Sequence, residues 1–136
     1  MRQQPAQLSR RTLRVEWTST ARGYTVLRLK GDLDSTTVAL LRQAIVDTPP
    51  ETLAVIDMSE VPFLDSAGIG ALIGGIRRLR ERGGDVSVSS PRPAIKRVLH
   101  MTGFDRIVPV TNRVEEAFGA MTADTNPSPG GDRIVI

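Results

Sequence analysis

The stretch Val61-Pro62-Phe63-Leu64-Asp65-Ser66-Ala67-Gly68-Ile69-Gly70 decides how this chain is read, because a strand ends just before it and a helix begins inside it. Upstream, Leu53-Ala54-Val55-Ile56 is apolar without a break and gives way to Asp57-Met58-Ser59-Glu60, the pattern of a buried strand leaving the core for a loop. Pro62 disfavours helix in the residues before it, and Asp65 and Ser66 each offer a side-chain oxygen to the first free N–H groups of a helix. From there Ile69, Leu72, Ile73, Ile76 and Leu79 recur at offsets of three and four, a stripe that has to face a core. Gly68, Gly70, Ala71, Gly74 and Gly75 fill the rest of its first turns. Each interior Gly costs about 0.5–1 kcal/mol relative to Ala, so this many in one helix implies close approach by another backbone. Arg77, Arg78, Arg80 and Arg82 then complement the negative end of the helix dipole, and Gly83-Gly84 stops the helix.

Working outward, Leu13, Val15 and Trp17 alternate with polar residues as a half-buried strand, and Ala21-Arg22-Gly23 turns it into a second strand from Tyr24 to Lys30. Gly31 to Asp34 breaks that strand. Asp34 or Ser35 is placed to cap a helix carrying Val38, Leu41, Ile45 and Val46, which Pro49-Pro50 ends. Beyond the central helix, Asp85-Val86-Ser87-Val88-Ser89 alternates as a strand and Pro93 suits the first turn of a helix burying Ile95, Val98 and Leu99. Ile107-Val108-Pro109-Val110 reads as a short edge strand, Asn112 as a cap, and Val114, Ala117, Phe118 and Met121 as the apolar face of a last helix.

Strands alternating with helices after an initial hairpin define an α/β fold: a single domain with a mixed, mainly parallel sheet, an N-terminal antiparallel hairpin strand and about four helices. The domain spans 13–121, between a loose segment 1–12 and a flexible tail 122–136 rich in Pro, Gly and Ser. Ile134-Val135-Ile136 either adds to a strand edge or does nothing. Loops beyond the carboxyl ends of parallel strands gather together, which brings Asp34 near Asp65 and Ser66.

Composition excludes several classes. With no Cys among 136 residues there is no disulfide framework and no Cys-ligated zinc, so a reducing, cytoplasmic setting is expected. No apolar run is long enough for a membrane span. A net charge of +3 without a basic stripe argues against direct nucleic-acid binding, and Trp17, Tyr24, Phe63, Phe104 and Phe118 occupy core-like positions. The glycines lack the Lys-Ser/Thr of a phosphate loop, and a lone His100 supports neither a serine hydrolase nor a metal site, so no enzyme activity and no cofactor are expected. Asp57, at a strand end, reads as a turn residue; as a phospho-acceptor it would need an acidic pair after the first strand, which Trp17-Thr18-Ser19-Thr20 does not offer.

A strand, then Asp65-Ser66-Ala67-Gly68-Ile69-Gly70, then a small-residue helix resembles the phosphorylation segment of STAS-domain anti-sigma-factor antagonists. Gly31-Asp32-Leu33-Asp34 is similar to the acidic turn of that family, and Pro93 to Leu99 with Thr102-Gly103-Phe104 to its late helix and turn. Asp32 stands where the family often has Glu, and Ala67 where a second hydroxyl is common. On its own chemistry Ser66 is a helix cap; the resemblance makes it the acceptor of a partner serine kinase. It also implies that Asp34, Asp65, Ser66, Ala67, Gly68, Ile69 and Gly70 form a partner-binding surface. That partner would be an anti-sigma factor with kinase activity, and a serine phosphatase would reset the switch. The competing reading is a STAS interaction subunit of a transporter or signalling complex, with Ser66 only a cap.

Overall fold

The computed structural model describes residues 12–125. In chain order its elements are β1 (Arg14–Ser19), β2 (Thr25–Lys30), α1 (Val38–Val46), β3 (Leu53–Glu60), α2 (Ser66–Glu81), β4 (Asp85–Ser89), α3 (Pro93–Met101), a 3-10 turn (Phe104–Arg106), β5 (Val110–Thr111) and α4 (Val114–Thr125). The sheet runs β1-β2-β3-β4-β5; β1 pairs antiparallel with β2 and every other pairing is parallel.

Strand alternation sorts the apolar side chains into two layers. Leu27, Leu29, Ile56, Met58, Val86 and Val88 pack with the inward stripes of α1, α2 and α3, among them Leu41, Ile45, Leu72, Ile76 and Leu99. On the other sheet face Tyr24, Val26 and Val55 pack with Ala117 and Met121 of α4. Fully burying a Leu or Ile contributes about 1.5–3 kcal/mol, so the larger layer holds α2 firmly against the sheet and sets the direction in which its N-terminus points.

Several local expectations are corrected. β4 is polar at alternate positions yet buried throughout, because helices cover both of its faces; Asp85 forms an ion pair with Arg80 at 3.0 Å. Trp17 is 41% and Phe63 50% exposed, so neither belongs to the core. Asn112 stands two residues before the first residue of α4, and its Oδ1 accepts from Lys96 Nζ at 2.7 Å. β5 is confined to Val110–Thr111, with the Pro109 carbonyl accepting from the Val88 N–H. α4 continues past Met121 to Thr125. The expected loose ends fall largely outside the described residues, as does Ile134-Val135-Ile136. Among the described residues no helix is long and apolar enough to cross a membrane.

Candidate functional site

Two loops at the carboxyl ends of β2 and β3 are stitched together by backbone hydrogen bonds. Gly31 N–H donates to the Glu60 carbonyl at 3.0 Å and Leu33 N–H to Phe63 at 3.0 Å, and Asp65 N–H reaches back to Leu33 at 3.4 Å. Leu33 and Leu64 form an isolated parallel bridge, with both side chains buried beneath it. The expected meeting of Asp34 with Asp65 and Ser66 thus follows from one bridge: the residue after each bridged leucine is an aspartate.

Asp65, not Ser66, caps α2. Its backbone is extended and its Oδ1 accepts from the Gly68 N–H at 2.9 Å, while Ser66 occupies the first helical position. That division of labour follows from side-chain reach, since the cap residue is the one whose oxygen can turn back to the third N–H of the helix. Ser66 is exposed, and its hydroxyl has no hydrogen-bond partner among the described residues. Gly68 is buried against the bridge, Ala67 and Ile69 are half-buried, and Gly70 is exposed.

Asp34 does not cap α1, and neither does Ser35; the cap position is Thr37, which makes no side-chain cap bond. Instead Asp34 Oδ1 accepts from Thr36 Oγ1 at 2.6 Å and from Thr36 N–H at 2.9 Å, closing a turn ahead of the helix. The Thr36 hydroxyl, more than any other group, holds the Asp34 carboxyl below the usual aspartate range, so it is charged at neutral pH. The surface around Ser66 therefore combines two carboxylates, an unbonded hydroxyl and the positive end of a long helix.

Three neighbours were not singled out from sequence. Phe63 stands half exposed one residue before the bridged Leu64, Thr36 orients Asp34, and Arg92 donates Nε–H to the Ser59 carbonyl at 3.1 Å on the approach to the loop. Phe63 was legible only as an aromatic, and nothing in its local pattern marks it as outward-facing. Asp57 is buried and tied to Arg28 Nε at 3.0 Å, with its other oxygen accepting from Ser59 N–H, so it is structural. Among the described residues no group of His, Cys, Asp and Glu is arranged to hold a metal ion.

A five-stranded sheet with an antiparallel first strand, three helices on one face and one on the other, and a hydroxyl at the start of the helix after β3 define a STAS domain. The STAS domain family model matches residues 18–117, and the chain belongs to that family. It is similar to the anti-sigma F factor antagonist of Paenibacillus polymyxa, 31% identical over 93 residues that cover 65% of this chain and 79% of that protein. An anti-sigma factor antagonist from Mycobacterium paratuberculosis superposes with a TM-score of 0.69 at 31% identity, covering 81% of this chain and 94% of that one. The Bacillus cell fate determinant SpoIIAA in its phosphorylated form shares the fold at a TM-score of 0.57 and 24% identity, over 79% of this chain and 99% of that one.

Proposed function

We propose that this chain is a cytoplasmic anti-sigma-factor antagonist that binds an anti-sigma factor while Ser66 is unmodified and is released when that partner, a serine kinase, phosphorylates Ser66. The observation that carries this reading is the exposed, unbonded Ser66 hydroxyl, left free because Asp65 does the capping. The Ser66 oxygen attacks the γ-phosphorus of the kinase's ATP, ADP leaves, and the hydroxyl proton passes to a base of the kinase. Magnesium and nucleotide belong to the kinase, a separate serine phosphatase restores the hydroxyl, and no reaction is assigned to this chain. Asp34 and Asp65 sit on the two bridged loops that carry the attacking oxygen, and Ala67, Gly68, Ile69 and Gly70 extend the docking surface along α2.

Phosphorylation adds about −1.5 to −2 charges. The N-terminus of α2 favours an anion by about 0.3–1 kcal/mol, so the fold tolerates the group. A partner packed over Gly68 and Ile69 has to desolvate it, which costs several kcal/mol when it is unpaired. The switch therefore acts through charge and bulk at a preformed surface.

The test is to mix the purified chain with a panel of anti-sigma serine kinases and ATP, and to follow complex formation and the mass of the Ser66 peptide. The expected result is a gain of one phosphoryl group on Ser66, tight binding by Ser66→Ala and loss of binding by Ser66→Glu. Equal binding by Ser66→Glu and wild type would overturn the proposal. Capture of a transporter subunit without phosphorylation would replace it with the interaction-subunit reading.

A further inference from the structure

The glycines of α2 divide into two kinds. A Cβ on Gly68 would collide with the backbone carbonyl of Leu33, and one on Gly75 with the side chain of Ile45. Gly70 and Gly74 have no such reason: a Cβ at either position meets nothing within 4 Å, and both residues are exposed. Alanine fits there and is the better helix former, so packing within this chain does not account for either glycine.

Gly70 and Gly74 floor a groove of about 230 Å³ between α1 and α2, walled by Arg42 and Val46 on α1 and by Arg78 on α2. Val46 is 50% exposed, although it is apolar. Arg42 and Arg78 are both exposed, and neither has an ion pair among the described residues. Ser66, Gly70, Gly74 and Arg78 follow one another at steps of four, so Ser66 stands one helical turn before the first glycine of the groove. From Gly70 to Arg78 it extends about 12 Å, room for two turns of a helix.

We propose that this groove is the second half of the anti-sigma-factor docking surface and receives a helix of that partner with small apolar residues on its buried face and carboxylates on its flanks. This rests on the function proposed above. Missing side chains at Gly70 and Gly74 let the partner axis approach closer than the usual 8–10 Å between packed helices. Two guanidinium groups with no ion pair among the described residues select acidic flanks and disfavour a basic segment. The spacing adds a regulatory consequence: a phosphate on Ser66, one turn before Gly70, repels the same acidic helix that the arginines attract.

The test uses the full chain and whichever anti-sigma factor binds wild type in the panel above. Gly74→Leu fills the floor, and the double variant Arg42→Glu with Arg78→Glu reverses the walls. Each is expected to weaken binding about tenfold or more, while Arg77→Glu, on the same helix but outside the groove, stays within about twofold. Thermal melts confirm that each variant is folded. Because the chain has no Cys, Gly74→Cys carrying a photoreactive label gives a single cross-linking point, expected to mark an acidic helix of the partner. If the floor and wall variants bind like wild type while Ser66→Glu does not bind, the groove is not a docking surface and the functional reading stands. If no anti-sigma factor binds wild type, both are overturned.

Discussion

Replacing Gly68 with alanine is the most exacting probe of the bridge that joins the acidic turn to the start of α2. The added methyl would overlap the Leu33 carbonyl and come within 2.7 Å of Leu64 Cδ1. The leucine side chain can rotate, but the carbonyl accepts from Asp65 N–H and belongs to the Leu33–Leu64 bridge, so it cannot retreat without parting the two loops. Overpacking of this kind costs about 1–3 kcal/mol, and against a backbone neighbour the upper part of that range applies. Alanine's helix preference returns about 0.5–1 kcal/mol, which leaves Gly68→Ala destabilised by about 2 kcal/mol, near 8 °C in Tm for a domain of this size. Gly74→Ala is the control, because the same methyl meets open space there and should raise Tm by a few degrees. Thermal melts followed by far-UV circular dichroism measure both. A Gly68→Ala protein melting at or above wild type would refute the argument that the bridge fixes the site.

Asp65→Ala removes the cap bond to Gly68 and should destabilise the fold by about 1 kcal/mol, with faster amide exchange at the first N–H groups of α2 as the local signature. Arg80→Met removes the ion pair to the buried Asp85 carboxylate and should cost about 3 kcal/mol, read as a lower urea midpoint with an unchanged slope. Thr36→Val removes the main hydrogen bond to Asp34, so its carboxyl pKa, followed by NMR, should rise toward the ordinary aspartate value. Because the native value lies below the unfolded one, the stabilisation from this turn is present above the ordinary aspartate range. It is lost as pH falls through the depressed value, and the variant should show a smaller acid-side loss.

Local periodicity carried most of the architecture. Leu53 to Ile56 and the stripe from Ile69 to Leu79 are long, regular patterns, and both strand and helix stand where those patterns place them. What periodicity cannot express is how many layers lie over an element. Asp85, Ser87 and Ser89 look like a solvent-facing row, yet α4 covers them, and Asp85 is answered by an arginine that the pattern alone reads as a dipole complement. Trp17 and Phe63 show the converse: large apolar side chains at core-like spacing that the edge strand and the site loop leave in solvent. At the site itself, the meeting of Asp34 with Ser66 was legible because topology alone brings those loops together. Which of Asp65 and Ser66 caps the helix was not, because both have the chemistry and only backbone direction decides. The glycine-rich turns were legible as unusual, but not that Gly70 and Gly74 face outward whereas Gly68 and Gly75 face neighbours within the chain.

The bridge at Leu33 and Leu64 gives the proposed signal a temporal character. The acidic turn and the serine loop are pinned to each other, so the proposed switch calls for no rearrangement between them. Under the proposed function the information would reside in one ester linkage, and its lifetime would be set by how often the enzyme that cleaves that linkage arrives. A component switched in that way would act as a latch, holding its last instruction until another protein erases it.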